Sequence, residues 1–241
     1  MDQKAQQLMA EVIDLFAEEF KEQAILRGGM VLKVLGSSRY TNDLDYIFTP
    51  YRSKKEISEK ILISLNKIPN CTTKYAFNSS CLRILLSVDQ TKIQIEAKVA
   101  EQIKTSVIST QSYSPQFNLP KRLIRIVDHS ISLSNKLAAW NERRLARDLF
   151  DIWFFMQMNI KPDEETLLKR LKKIEYSKLI KKTDYFKGRT LPEFYDFIRQ
   201  VASDTPDSKI EAELSDYLTP EELAGITPLI KASLVKLQVQ K

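Results

Sequence analysis

The sequence is poor in the residues that many enzymes use near neutral pH. Of 241 residues, one is histidine, His129, and two are cysteine, Cys71 and Cys81. A single imidazole excludes zinc sites built from several histidines and families that use more than one histidine base. A Ser-His-Asp triad would have to run through His129, and no G-x-S-x-G elbow accompanies it. His129 reads instead as a helix-entry or surface residue. The cysteines stand ten positions apart without metal-ligand spacing, and in a cytoplasmic chain they read as two reduced, part-buried thiols rather than a disulfide. No apolar run approaches the roughly 20 residues that span a bilayer. The opening stretch, MDQKAQQLMAEVIDLFAEEF, is acidic and lacks the apolar core of a secretory signal. Its Leu8, Val12, Phe16 and Phe20 recur every four residues, the mark of an amphipathic helix. The expected location is cytoplasmic.

Glycine is scarce too, yet unevenly spent. Three of the five glycines, Gly28, Gly29 and Gly36, fall within nine positions. Asp43 and Asp45 follow, inside a stretch that alternates as a strand: Leu44, Tyr46 and Phe48 face one way, Asp43, Asp45 and Ile47 the other. Two carboxylates at i and i+2 repel one another, and burying either without a partner is costly. A divalent cation reverses that cost, because Mg²⁺ prefers carboxylate oxygens and leaves positions open for phosphates. A D-x-D also occurs at solvated strand edges, but a Gly-Gly turn leading into a short helix lets backbone N–H groups approach an anion. The layout suits a nucleoside triphosphate. Glu96, mid-strand on the polar face of KIQIEAKV, is the candidate third acid; the alternative is a solvated face. Two bound ions would activate a hydroxyl without an imidazole.

Further elements are legible. Ser53 and Glu56 form a capping box that opens a helix carrying Ile57, Ile61, Leu65 and Ile68. CLRILLSV and KIQIEAKV flank the turn DQTK and read as a hairpin. From about residue 129 the texture becomes almost entirely helical. Thr219-Pro220-x-Glu222 opens a late helix, and Thr227-Pro228 restarts it. The fold class expected is therefore α/β (α+β), with residues 1–125 forming a mixed sheet flanked by helices and 126–241 a helical C-terminal domain. The boundary region, 115–128, contains Pro115 and Pro120.

That helical half holds a second charged group, in KLAAWNERRLARDLFD. If the segment is one helix, Lys136, Arg143, Arg147 and Asp151 fall within about 80° of one another. Asp148 lies off that stripe, in reach of Arg144 at i−4. Such a stripe is either solvent-facing or a phosphate clamp in which Asp151 orients an arginine. The net charge of +6 is also uneven: KRLKKIEYSKLIKK, residues 169–182, holds seven basic residues and one acid. It reads as a solvated helix face or as a surface that tracks phosphates.

Taken together, these residues resemble the AbiEii family of nucleotidyltransferases, within the DNA polymerase beta-like superfamily. The likeness spans roughly residues 20–160 and rests on two blocks. The first is Gly28-Gly29, Arg39, Thr41 and Asp43-Leu44-Asp45-Tyr46; the second is Lys136, Ala139, Arg143, Arg147-Asp148 and Asp151. Met30 stands where members of the family often carry threonine. The resemblance implies transfer of a nucleotidyl group from a nucleoside triphosphate. Asp43, Asp45 and Glu96 would be the catalytic acids that hold Mg²⁺ or Mn²⁺. Gly28 and Gly29 would cradle the triphosphate, with Arg39 and Thr41 beside them and Lys136 contacting it. Arg143, Arg147, Asp148 and Asp151 would complete the nucleotide pocket. Many members are toxins of toxin–antitoxin or phage-defence systems that act on tRNA or bind GTP opposite a cognate antitoxin, and residues 169–182 would suit an RNA acceptor. A catalytically weakened nucleotide- or RNA-binding protein, or transfer to a protein or small molecule, remains the alternative at this level.

Overall fold

The computed structural model describes residues 3–173, 175, 185–188 and 190–238. Two compact units divide the chain, Met1–Asp128 and His129–Lys241. A cut after residue 125 would sever the last strand of the first unit, Leu123–Val127.

In the first unit, α1 (Gln3–Glu19) leads to β1 (Ala24–Arg27), α2 (Gly29–Val34), β2 (Asp43–Phe48) and α3 (Lys54–Leu65). Five strands follow: β3 (Cys71–Phe77), β4 (Leu82–Val88), β5 (Thr91–Val99), β6 (Thr105–Ser109) and β7 (Leu123–Val127). They form one mixed sheet ordered β3-β4-β5-β2-β1-β7-β6. Leu44, Tyr46 and Phe48 are buried on one face with Ile84, Leu86, Ile93 and Ile95, and α1 and α3 lie in the same core. Phe16 of α1 meets Tyr46 and Phe48 edge-on, at 5.1 and 5.8 Å between ring centroids. This face is committed to the core, which leaves the opposite face to carry Asp43 and Asp45.

Several local signals hold with refinements. Ser53 accepts from Glu56 N–H as a cap, but the Glu56 carboxylate takes the N–H of Arg52, one residue farther upstream than a capping box requires. The hairpin turn is shorter than DQTK: Val88 pairs directly with Thr91, and Asp89 adopts φ 52°. Three strands, β3, β6 and β7, were not legible. β3 is an edge strand with most side chains exposed, so it lacks the alternation that reveals a half-buried strand. Both cysteines are free thiols, Cys81 buried and Cys71 half-buried.

The second unit comprises α4 (His129–Arg143), α5 (Ala146–Gln157), α6 (Glu164–Lys172), α7 (Leu191–Asp204), α8 (Asp207–Leu214), α9 (Pro220–Leu223) and α10 (Ile226–Leu234). The long helical run breaks once, at Arg144, whose φ is +54°. The Arg144 guanidinium stacks on Trp140 at 4.2 Å and on Phe197 at 4.9 Å, which holds the bend. Leu145 has no side-chain cap to offer α5, and Glu213 accepts from Ala146 N–H at 2.9 Å instead. Thr219 caps α9 with Glu222 reciprocating. The final helix starts at Gly225 rather than at Thr227-Pro228, which lie inside its first turn. No described helix is long and apolar enough to cross a membrane.

Candidate functional site

The glycines divide into two jobs. Gly28 caps α2 with φ +75° and ψ −155°, a conformation that side chains resist. A methyl group on Gly28 would fall 2.4 Å from Asp45 Oδ2, and one on Gly29 would fall 2.6 Å from Arg39 Nη2 and 3.0 Å from Thr41 Oγ1. The turn is therefore packed directly against the aspartate, the arginine and the threonine of the first sequence block. Gly36 does something else. With φ +96°, it ends α2: its N–H donates to Lys33 C=O, and Ser37 N–H donates to Leu32 C=O, a Schellman closure.

The loop between α2 and β2 is held from behind. Gln6 Nε2 donates to Thr41 C=O at 2.9 Å, while Gln6 C=O accepts from the buried Tyr113 hydroxyl at 2.8 Å. Arg39 is 5% exposed, its N–H donating to Ser37 Oγ and its Nη1 to Tyr40 C=O. Met30 points away from all of this: it is fully buried in the core. A threonine there would place its hydroxyl among apolar side chains, and the hydroxyl beside the glycine turn belongs to Thr41. Met30→Thr should therefore lower stability by about 2–5 kcal/mol in denaturant unfolding without improving triphosphate affinity.

Asp43 and Asp45 sit half-buried on the open face of β2. The parallel pairing of β2 with β5 sets Asp45 level with Glu96 and Asp43 level with Gln94. All three acids thus share one face. Glu96 is already engaged, because Arg83 donates to its Oε1 through Nη2 at 2.7 Å and Nε at 3.1 Å, and Gln94 Nε2 reaches the same oxygen at 3.3 Å. Arg83 escaped the sequence reading. It faces Glu96 only because the hairpin loop has two residues; a four-residue DQTK loop would set Leu85 there instead.

The Asp43–Asp45 pair suits a divalent cation, since Mg²⁺ takes one or two carboxylates and completes its shell with phosphate and water oxygens. The close approach of Gly28 to Asp45 leaves room beside the carboxylate that any side chain would fill. Among the described residues, no group of three or more His, Cys, Asp or Glu is placed to hold a metal ion together, so Glu96 does not join Asp43 and Asp45 in a three-acid set here. Gly28→Ala should push the Asp45 carboxylate aside, lowering transfer roughly a hundredfold in a steady-state assay. Retained wild-type activity would contradict the packing role.

The second block is arranged differently from a one-helix stripe. The break at Arg144 puts Lys136 and Arg143 on α4, and Arg147, Asp148 and Asp151 on α5. Asp148 pairs with Arg143, not Arg144: Nε and Nη2 donate to its two oxygens at 2.6 Å each. Asp151 orients Lys136 rather than an arginine, at 2.5 Å, and Lys136 stands 3.7 Å from Asp148 as well. Both aspartates are fully buried. Two cations and two anions neutralise one another, which is how helix α5 tolerates two buried carboxylates. Arg147 lies over the Tyr217 ring, 5.7 Å from its centroid, outside this cluster.

Of the basic stretch 169–182, residues 174 and 176–182 lie outside the described residues. Among the rest, Lys169 pairs with Glu165 at 2.6 Å, and Arg170, 11% exposed, pairs with the buried Glu142 at 3.2 Å. Arg170 is thus a structural cation rather than part of an exposed face. Clefts of about 420 and 630 Å³ occur around α7 and the end of α10, but none of the residues named above lines them.

The profile of the family described as "Nucleotidyl transferase AbiEii toxin, Type IV TA system" matches residues 13–224. The chain belongs to the AbiEii family. It is a nucleotidyltransferase. Among solved structures, MenT4, a nucleotidyltransferase toxin from Mycobacterium tuberculosis, superposes with a TM-score of 0.60 and 14% identity, covering 98% of this chain and 84% of that one. JHP933 from Helicobacter pylori gives a TM-score of 0.52 and 17% identity, covering 98% and 95%. At such identities the likeness is one of fold. No curated protein sequence matches significantly. This AbiEii-family chain places the glycine turn, Arg39, Thr41 and Asp45 in one neighbourhood of its first unit, with Asp43 two residues away on the same strand face.

Proposed function

We propose that the protein transfers a nucleotidyl group from a nucleoside triphosphate to RNA, tRNA in particular, as a toxin countered by a cognate antitoxin. The observation that carries the reading is the contact between the glycine turn and Asp45, where a single methyl would not fit. A phosphate cradle and a carboxylate pair are thereby side by side, the arrangement that triphosphate chemistry requires. Mg²⁺ or Mn²⁺ held by Asp43 and Asp45 would supply charge neutralisation and a more acidic acceptor hydroxyl. Gly28, Gly29, Arg39 and Thr41 bind the triphosphate. In the helical unit, Lys136 binds phosphate with its ammonium aimed by Asp151, and Asp148 holds Arg143 beside it. Arg147 braces α5 through Tyr217.

The acceptor hydroxyl forms a bond to the α-phosphorus as the bond to the bridging oxygen breaks; pyrophosphate leaves and the hydroxyl proton is released. The formal charge of +6 and the five further lysines of residues 169–182, beyond the paired Lys169 and Arg170, support a polyanionic acceptor. The test is incubation with each α-phosphate-labelled triphosphate, Mg²⁺ and total tRNA, resolved on a denaturing gel. Label on tRNA is expected. Label on protein would move the acceptor to another class, and no label anywhere would favour binding without turnover. Replacing Lys172, Lys173, Lys178, Lys181 and Lys182 with glutamine should lower tRNA labelling and flatten its salt dependence, while leaving triphosphate binding intact.

A further inference from the structure

Displacement at a phosphorus runs in line: the attacking oxygen and the departing pyrophosphate occupy opposite sides. The sheet order says which sides these are. The glycine turn, Arg39 and Thr41 lie on the β1–α2 side of Asp43 and Asp45. On the other side the sheet continues through β5, β4 and β3. If the triphosphate is held at the turn, the acceptor arrives over those three strands.

The residues on that open face are laid out in register. One row runs Asp45, Glu96, Arg83, Ala76; the next runs Asp43, Gln94, Leu85, Lys74. Arg83, Leu85, Ala76 and Lys74 are exposed, as is Lys92, which shares the face opposite Ser87. Arg83 stands two strand spacings from Asp45, roughly 10 Å. Its guanidinium has five N–H groups in a rigid fork. Nε and Nη2 are spent on Glu96 Oε1, and Gln94 holds that oxygen from the other side. Nη1 is not part of the pairing. With the Arg83 side chain 51% exposed, an ion pair of this kind adds little to stability, so folding does not account for it. Bracing an arginine against a carboxylate does, however, fix its remaining edge for an incoming phosphate.

We propose that the open face of β5, β4 and β3 beside Asp43 and Asp45 receives the acceptor strand of RNA, and that Arg83, braced by Glu96 and Gln94, binds one of its phosphates. This rests on the reading of the protein as an RNA-directed nucleotidyltransferase. The exposed cations Lys74, Arg83 and Lys92, interrupted by the uncharged Leu85 and Ala76, match a phosphate backbone better than a protein side chain, which would require no such series.

The test is fluorescence anisotropy with a fluorescein-labelled single-stranded RNA oligonucleotide across a salt series, using full-length Arg83→Met, Arg83→Lys and Lys74→Ala. Calorimetric titration with nucleoside triphosphate runs alongside. Arg83→Met should weaken RNA binding about tenfold and reduce the slope of log affinity against log salt by about 0.7, the share of one phosphate contact on a single strand. Arg83→Lys should restore the slope, since the charge returns, and triphosphate affinity should stay unchanged in both. Lys74→Ala, a fully surface change, should also lower the slope, and carries the test if Arg83→Met does not fold. An unchanged slope in both charge-removing variants overturns the proposal. So does a selective loss of triphosphate affinity, which would place Arg83 on the donor side. Wild-type protein that fails to bind the oligonucleotide overturns it as well. The underlying reading fails separately, if wild-type protein labels no RNA in the gel assay.

Discussion

Replacing Asp43 and Asp45 together with asparagine is expected to cut nucleotidyl transfer by more than about a thousandfold while the protein stays folded. Asparagine keeps the size and most hydrogen bonding of each side chain and removes the charge. The two carboxylates are half-buried at one end of a strand whose other face supplies the core, Leu44, Tyr46 and Phe48 all being at or below 3% exposure. Their removal therefore leaves the packing intact, and unfolding free energy should change by about 1 kcal/mol or less. Two readouts separate the possible causes. Mn²⁺ affinity followed by electron paramagnetic resonance should fall with activity if the pair seats the cation. Lost activity with full Mn²⁺ affinity would move the cation elsewhere, and retained activity would remove both aspartates from the chemistry.

The largest stability effect is expected at Asp148. This carboxylate is wholly buried, receives two N–H bonds from Arg143 and stands 3.7 Å from the Lys136 ammonium. Deleting it with Asp148→Ala takes both of those bonds from Arg143, whose side chain is only 14% exposed. Breaking a buried pair from one side costs about 3–5 kcal/mol, a large part of the 5–15 kcal/mol that typically holds a domain together. Chemical denaturation should show the loss. Charge, rather than shape, is the cause, so the double change Asp148→Leu with Arg143→Met should recover much of the stability. A single Asp148→Ala variant as stable as the parent would mean that the pairs are held loosely and hydrated.

How far the sequence could be read depended on the range of each interaction. The amphipathic period of α1, the alternation of β2 and β5, and the cap at Ser53 are consequences of neighbours a few positions apart, and they stand in the fold. Arg144 broke the charged stripe because a positive φ at a residue stacked between Trp140 and the distant Phe197 cannot be inferred from helical spacing. The pairing of Asp151 with Lys136 follows from that break. β3 was missed because an edge strand has no buried face to pattern its residues. Arg83 was missed because a two-residue difference in a hairpin loop decides what faces Glu96.

By itself, the sequence determined the chemistry available to this protein: two carboxylates on one strand face, glycines where backbone must approach them, and no set of histidines to do the work instead. Those are properties of residue type and short spacing, which covalent geometry carries directly into three dimensions. Tertiary structure alone decided which partner each charge meets. Gly28 touches Asp45 because β1 and β2 pair antiparallel in one register, Met30 turns inward because the core lies on that side of α2, and Glu96 meets Arg83 because the hairpin closes in two residues. Each depends on contacts between segments far apart in the chain, whose geometry is set by packing.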